Sequence, residues 1–486
     1  MSALKKLFKH TFIYGIATVL PRVLTVLLTR LYTDKLPTDE YGVVNLVFAY
    51  IVFVNVVLSY GMETAFFRFM NKNKNKTEVQ STALTTLLCS SLLFLCIAFP
   101  FRENIAVFMN VKTIYVSYAI GILFLDALVV IPFAWLRHNE KSIKYSLLKI
   151  FNVVINLSFN LFFFLVLPSL LVDNDSSFLN FIHLGNNSVT YIFIANFIAS
   201  LVTLALLLPL YLKIGFQLKA TLLKQMLAYG LPILLAGFAF AINEHLDKIL
   251  LERLLPESIA KSELGVYSAC YKLGVFMTLF VTAFKLGVEP FFFSHANNKD
   301  AKQTYANITL YFTIFASTIL LGVIVYIDIF KQILIANKLY WEALIIVPII
   351  LLANLCLGLY HNLSVWYKIT DKTLFGAYIS LFGALITLVL NFLLIPVIGY
   401  IGSALATLAA YGTMMITSYV LGQKNYAIPY DLKKIGTYLI LAISLSALSF
   451  YVFERELIKG TGLLLLFLSF VYFKEKKEIR KLFFKK

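Results

Sequence analysis

The chain has 486 residues, of which 60% are hydrophobic and 14% are charged, with a formal net charge of +17. Soluble proteins have nearer half apolar and about a quarter charged residues, so this composition excludes an ordinary soluble domain. Apolar runs close to the roughly 20 residues that cross a bilayer recur along the chain. A membrane β-barrel is excluded because it would show alternating segments of about 10 residues instead. The predicted fold class is an all-α polytopic membrane protein.

Fourteen apolar runs are candidate transmembrane helices. Their approximate limits are 8–31, 41–62, 80–101, 113–136, 144–168, 188–212, 222–247, 264–293, 303–327, 342–367, 373–396, 401–422, 435–453 and 457–473. The last run is the weakest of them, since its clean apolar core extends only from Gly462 to Phe473.

Basic residues predict the orientation of the spans, because cytoplasmic loops are enriched in Lys and Arg. With the amino terminus inside, the inside segments hold 28 of the 42 basic residues and the outside loops hold 10. Both termini are therefore predicted to be cytoplasmic. The basic surface then faces anionic lipid headgroups, so the positive charge requires no nucleic-acid partner.

The chain shows an internal repeat. Tyr14-Gly15 and Asp34-Lys35 recur in the same order as Tyr229-Gly230 and Asp247-Lys248. Further on, EKSIKYSLLKIFNVVINLSFN (140–160) aligns without a gap with DKTLFGAYISLFGALITLVLN (371–391). Six spans separate the copies, so the two halves run parallel. The predicted organisation is an amino-terminal lobe of six spans (1–213), a second lobe of six (214–423), and two additional spans with a basic tail (424–486).

Three segments carry a resemblance to a known family: RLYTDKLPTDEYGVVNL (30–46), GMETAFFRF (61–69) and NFLLIPVIGYIGSALATLAAYG (391–412). They resemble the multidrug/oligosaccharidyl-lipid/polysaccharide exporter superfamily and, within it, the Wzx-type flippases. The resemblance implies two six-helix bundles in a bacterial inner membrane that move a polyprenyl-diphosphate-linked glycan from the cytoplasmic to the periplasmic leaflet. The resemblance implies membrane lipids and that glycan as partners, together with other polysaccharide assembly proteins.

Span 1 carries a polar face. Thr18, Arg22 and Thr25 lie three or four residues apart, which places them on one side of a helix. Arg22 is about 21 Å from the start of the span, too deep to reach either surface easily. A charge at the bilayer centre costs at least about 2.5 kcal/mol. We therefore expect these three residues to line a substrate cavity.

Two anions are candidates for pairing with Arg22. One is Asp126, midway along span 4, as a structural or resting-state partner. The other is a transported diphosphate, which suits the planar guanidinium. Asp126 also has a third interpretation as a proton or sodium coupling site, because acids inside membranes are often functional.

Span 8 repeats this pattern. Lys285 and Glu289 lie on one helix face near the predicted cytoplasmic end, and Lys272 lies nearer the outer side. We interpret the two lysines as further substrate-binding candidates. Glu289, together with Glu63 and Arg68 in span 2, is interpreted as a cytoplasmic gate. Helix-end packing and pairing of Lys285 with Glu289 are the alternatives.

Other functions are also compatible with the sequence. A multidrug or cation antiporter of the same superfamily and a peptidoglycan lipid II flippase are the nearest alternatives, and a membrane polymerase or ligase is a more distant one. The largest outside loop, 169–187, carries acids but no Lys or Arg, which disfavours the enzyme. The sequence predicts no catalytic residue, no metal site and no cofactor, and leaves the coupling ion undetermined.

Overall fold

The computed structural model describes residues 3–173, 188–296 and 298–484, with side chains described for 19–170, 188–293, 295–296 and 298–476. The chain forms two compact units, Met1–Ser268 and Ala269–Lys486. This division is a different one from the lobes inferred from the repeat, and the lobe boundary at 213/214 stays a prediction.

The first unit is built from eleven helices in its described part. They are α1 Ala3–Lys35, α2 Thr38–Ser59, α3 Met62–Lys72, α4 Lys76–Ala98, α5 Arg102–Phe108, α6 Thr113–His138, α7 Ser142–Leu161, α8 Leu167–Asp173, α9 Ser188–Ile214, α10 Ala220–Leu254 and α11 Glu257–Tyr271. The division between the units falls in the last turn of α11.

The second unit continues with nine helices in the described residues. They are α12 Val275–His295, α13 Ala301–Val325, α14 Ile327–Leu334, α15 Ile346–Leu363, α16 Val365–Ile369, α17 Leu374–Ile398, α18 Tyr400–Asn425, α19 Leu432–Ala447 and α20 Leu457–Phe484.

Helices account for almost all of the described chain. Thirteen candidate spans between residues 38 and 476 are long and apolar enough to cross a membrane, and α1 precedes them. A helix satisfies its backbone hydrogen bonds internally, which is why apolar segments in lipid adopt it. The all-α polytopic fold class with about fourteen spans is thus confirmed, and the protein is a multi-pass membrane protein.

Several spans that read as continuous apolar runs contain local breaks. A π-helical turn, Phe162–Val166, separates α7 from α8, and a second one, Leu448–Val452, follows α19. A short 3₁₀ turn, Lys272–Gly274, separates α11 from α12 within predicted span 8. Single π and 3₁₀ turns inside helices change the direction of the side chains, and hydropathy does not detect them.

Each unit has its own apolar core. In the first unit, Phe66 of α3 packs with Leu87 of α4, Ile131 of α6 and Met226 of α10 in one buried cluster. In the second unit, a buried cluster joins α15, α16, α17 and α18, with Trp366 almost fully enclosed at 1% exposure. Burial at such density makes these clusters sensitive to changes in side-chain volume.

Two glycines allow α2 and α11 to cross at very short range. A Cβ added at Gly42 would lie 1.9 Å from the carbonyl oxygen of Lys261, and one at Gly265 would lie 1.9 Å from that of Thr38. The Thr38 and Ser262 hydroxyls hydrogen-bond at 2.7 Å beside this contact. Glu40-Tyr41-Gly42-Val43 matches Glu263-Leu264-Gly265-Val266 in the sequence, so the crossing is reciprocal between repeat-related residues.

Candidate functional site

The candidate site consists of charged side chains within or at the ends of the spans. On α1, the Arg22 and Thr25 side chains are exposed, whereas Thr29 one turn further is only 2% exposed. The Thr25 hydroxyl donates to the carbonyl oxygen of Pro21 at 2.8 Å. The backbone at Thr18 is helical, but its side chain lies outside the described residues. The polar face is therefore exposed in its described middle part and packed at its end.

The end of α1 is attached to α7 by a buried hydrogen bond. The Tyr32 hydroxyl donates to the Asn160 side-chain oxygen at 2.8 Å, and the Asn160 amide donates to the Asn156 carbonyl at 2.8 Å. Asn160 is fully buried. This contact holds α1 against the rest of the first unit and leaves the region around Arg22 exposed.

Asp126 lies on α6 in a polar cluster formed with α7 and α9. It accepts a hydrogen bond from the Ser200 hydroxyl at 2.7 Å and interacts electrostatically with Lys149. The Lys149 ammonium also lies 4.3 Å from the centre of the Phe133 ring. The sequence analysis did not identify Lys149 as a charge neighbour of Asp126. The pairing of Asp126 with Arg22 stays a prediction.

Glu63, at the start of α3, pairs with a residue that the gate hypothesis did not include. Arg137 at the end of α6 donates to the Glu63 carboxylate at 2.6 Å, and both side chains are partly exposed. Arg68 lies 4.0 Å from the centre of the Tyr229 ring of α10 in a cation–π contact. Glu63 and Arg68 thus share α3, but each contacts a different neighbouring helix.

Glu289 on α12 is paired in a similar way. Lys368 of α16 donates to its carboxylate at 2.7 Å. Lys285 and His361 line a small pocket with these two residues, together with Phe284 and Phe312. The structure therefore brings the predicted residues Lys285 and Glu289 together, and adds Lys368 and His361 around them. Lys368 was not proposed from the sequence.

Lys272 is separate from this group. It lies in the 3₁₀ turn between α11 and α12 and is half-buried. Thirteen residues separate it from Lys285, which corresponds to about 20 Å along a helix. Lys272 and Lys285 thus lie at different depths along predicted span 8.

The two ion pairs occupy matching positions of the internal repeat. Extending the offset of 231 residues upstream of the aligned segments places Arg137 on Lys368 and Trp135 on Trp366. Both helix ends are closed in the same way, with Lys141 N bonded to Leu136 O at 2.9 Å and Lys372 N bonded to Tyr367 O at 2.8 Å.

The residues before these lysines, Glu140 and Asp371, both adopt a left-handed conformation, with φ of 54° and 57°. Such a residue after a helix end is typical of a Schellman-type cap. Arg137 and Lys368 could therefore have been identified from the sequence as equivalent positions, because the internal repeat aligns them.

The basic side chains of the arrangement favour binding of anions. In the described part of the chain, no group of three or more His, Cys, Asp or Glu side chains is placed to hold a metal ion. Arginine and lysine side chains at several depths of the spans are instead suited to charge-assisted hydrogen bonds with phosphate oxygens.

Comparison with solved structures identifies the fold. The chain is similar to the lipid II flippase MurJ in an inward closed conformation, with a TM-score of 0.72 and 14% identity over 95% of this chain and 99% of that one. It is also similar to an inward-facing multidrug resistance MATE family transporter of the MOP superfamily, with a TM-score of 0.64 and 13% identity over 89% and 98% of the two chains.

A third similar structure is a MOP superfamily transporter from Pyrococcus furiosus, with a TM-score of 0.59 and 13% identity over 89% and 96% of the chains. No curated protein matches the chain at a significant level. The protein therefore has the fold of the MOP-superfamily transporters.

The model of the family described as "Polysaccharide biosynthesis protein" matches residues 3–294 of this chain. The chain belongs to this family. The resemblance to the multidrug/oligosaccharidyl-lipid/polysaccharide exporter superfamily and its polysaccharide branch is thereby confirmed.

Proposed function

We propose that the protein is a flippase that moves a polyprenyl-diphosphate-linked glycan from the cytoplasmic to the outer leaflet of the bacterial inner membrane. The observation that carries this proposal is the match to the polysaccharide biosynthesis family over residues 3–294. The fold shared with a lipid II flippase over 95% of the chain supports it. The protein then acts as a carrier and has no catalytic residue.

The charges inside the membrane support an anionic substrate. Arg22 is exposed on α1, and Lys272 and Lys285 are half-buried in the region of predicted span 8. A diphosphate provides oxygens that compensate such cations as it passes through the protein. A multidrug antiporter with cationic substrates would favour acidic side chains at these positions.

The proposed orientation places both termini in the cytoplasm. It rests on the excess of Lys and Arg in the segments assigned to that side. The Glu63–Arg137 and Glu289–Lys368 pairs then lie at the cytoplasmic ends of their helices, where they are suited to act as a gate. Other polysaccharide assembly proteins are expected to supply and receive the glycan.

Asp126 is the proposed coupling residue. Its hydrogen bond to Ser200 and its charge interaction with Lys149 give a carboxylate whose protonation would change the balance of charge in the cluster. The proposal predicts that glycan transport depends on a proton or sodium gradient, and that Asp126→Asn abolishes this dependence. Transport that is unchanged when both gradients are collapsed would contradict the coupling role.

The flippase proposal is tested with purified protein in vesicles. The wild-type protein should move a fluorescent polyprenyl-diphosphate sugar between leaflets, and empty vesicles should not. Arg22→Ala should reduce the rate by about tenfold or more, the effect of losing one charge-assisted hydrogen bond. Arg22→Lys should retain part of the activity. Arg102→Ala, at a half-buried position outside the predicted spans, is the matched control.

Absence of any movement by wild-type protein would contradict the flippase proposal. Full activity of both Arg22 variants would contradict contact of Arg22 with the substrate, while leaving the flippase proposal intact.

A further inference from the structure

The first unit contains a cleft of about 520 Å³ at the end of its helices where α2 begins. Its polar lining consists of Asp39, Glu40, Asn110, Lys112, Tyr115 and Lys261. This volume lies within the range of about 300 to 1,000 Å³ that is typical of small-molecule sites. The cleft includes none of the charged residues considered above.

Three parts of the first unit position these side chains. Asp39 and Glu40 occupy the first turn of α2, and Lys112 and Tyr115 lie at the start of α6. Lys261 comes from α11 and is positioned by the crossing with α2, where its carbonyl oxygen lies against Gly42. The cleft is therefore formed by helices of both repeats.

The turn between α5 and α6 completes the wall. Asn110 adopts a left-handed backbone conformation with φ of 52°, and its amide donates to Glu257 of α11 at 3.4 Å. This contact connects the turn to the same helix that supplies Lys261. The turn is therefore held in place by α11, in addition to its connections to α5 and α6.

The chemistry of the lining is that of a carbohydrate site. Carboxylates accept hydrogen bonds, ammonium groups donate them, and the amide does both, which matches hydroxyl groups that donate and accept. Val43, Val107 and Val189 add apolar surface for the C–H faces of sugar rings. Two carboxylates beside each other disfavour a diphosphate, and four charged groups disfavour an acyl chain.

We propose that this cleft binds the glycan portion of the substrate at the outer face of the membrane. The inference rests on the proposed flippase function and on the orientation that places this end of α2 outside. The two parts of the substrate then bind at different places. The cations within the spans bind the diphosphate, and the cleft binds the sugar.

The cleft also depends on the closed crossing of α2 and α11. Because it is lined from both helices, separation of Gly42 from Lys261 would remove one of its walls. A ligand that binds one conformation more tightly shifts the population toward that conformation. Glycan in the cleft therefore favours the state in which the Thr38 and Ser262 hydroxyls are in contact.

The test measures binding of a lipid-free glycan to the full-length protein in nanodiscs. The probe is the oligosaccharide released by mild acid from the polyprenyl-diphosphate pool of cells that lack this protein. Saturation-transfer difference NMR should show magnetisation transfer to the oligosaccharide with wild-type protein. Glu40→Gln and Lys261→Met should each weaken its binding by about tenfold.

Glu103→Gln, an exposed carboxylate on α5 outside the cleft lining, is the matched control and should bind like wild-type. Thermal unfolding of each variant distinguishes loss of the site from loss of folding, and Asp39→Asn on the exposed rim is the second variant if Glu40→Gln is unstable. No transfer with wild-type protein, or unchanged binding by folded cleft variants, would overturn the proposal.

Cross-linking tests the dependence on conformation. A Thr38→Cys/Ser262→Cys variant oxidised with copper phenanthroline should bind the oligosaccharide at least as tightly as the reduced form. Weaker binding after cross-linking would overturn the dependence on the closed crossing.

The result is separable from that of the flippase assay. Flipping without oligosaccharide binding rejects the cleft alone. Binding without flipping supports the cleft and rejects the flippase function.

Discussion

Arg137 donates a hydrogen bond to Glu63 at 2.6 Å, and the repeat-related Lys368 donates to Glu289 at 2.7 Å. The same carboxylate-to-cation pairing is thus present twice, once in each unit. The sequence analysis predicted Glu63 and Glu289 as gate residues. Their basic partners, Arg137 and Lys368, were identified only in the structure.

The first prediction concerns the stability that these pairs provide. The side chains of Arg137 and Glu63 are 45% and 43% exposed, so water screens their attraction. We expect Glu63→Gln to change the free energy of unfolding by less than about 1 kcal/mol, measured by thermal unfolding in detergent. A loss of several kcal/mol would show that the pair holds the fold rather than serving as a gate.

The second prediction concerns Asp126 and Lys149. Removal of one of two interacting opposite charges within the membrane leaves the other less well compensated, which lowers stability. We therefore expect Lys149→Met to lower the unfolding temperature clearly, and Asp126→Asn/Lys149→Met to restore part of the loss. A double variant that is less stable than either single one would contradict the interaction.

A third prediction follows from the crossing of α2 and α11. Gly42→Ala places a methyl group 1.9 Å from the carbonyl oxygen of Lys261, so the helices must separate. We expect Thr38→Cys and Ser262→Cys to form a disulfide readily in the parent protein and poorly in the Gly42→Ala background. Gly287→Ala is the control, since its added carbon meets nothing within 4 Å. Equal cross-linking in both backgrounds would reject the steric argument.

The fourth prediction compares two matching asparagines. Asn160 accepts from Tyr32, and Asn391 accepts from Ser403 at 2.7 Å. Replacement by alanine leaves a buried hydroxyl without its acceptor, at a cost of about 1–3 kcal/mol. Both variants should therefore lower the unfolding temperature. In a Tyr32→Phe background, Asn160→Ala should lower the unfolding temperature by less. An equal decrease in both backgrounds would show that Asn160 does not act through its hydrogen bond with Tyr32.

The fifth prediction concerns orientation. With native cysteines replaced by serine, Lys74→Cys should be protected from a membrane-impermeant maleimide on intact cells, and Arg102→Cys should be labelled. Lys74 precedes α4 and Arg102 begins α5, which follows it, so one experiment includes both an inside and an outside site. The opposite labelling pattern would invert the topology and with it the assigned sides of the gate and the cleft.

Much of the fold was predictable because lipid imposes strong rules on a sequence. Apolar runs of helical length predicted the spans, and the thirteen candidate spans agree with them. The offset of 231 residues predicted that Asn160 and Asn391 are equivalent, and both are fully buried with an amide bonded to the residue four positions earlier. Hydrophobicity and repeats are properties of the chain itself, which is why they can be read without coordinates.

The partners of the charged residues were decided only by the tertiary structure. Asp126 lies beside Ser200 and Lys149, Glu289 pairs with Lys368, and Lys261 reaches the cleft because Gly42 permits a close crossing. Helical periodicity shows which residues share a face, but the neighbour opposite that face depends on how separate helices pack. The sequence by itself therefore determined the membrane fold and its repeat, and only the packing of the helices determined which charges and cavities form sites.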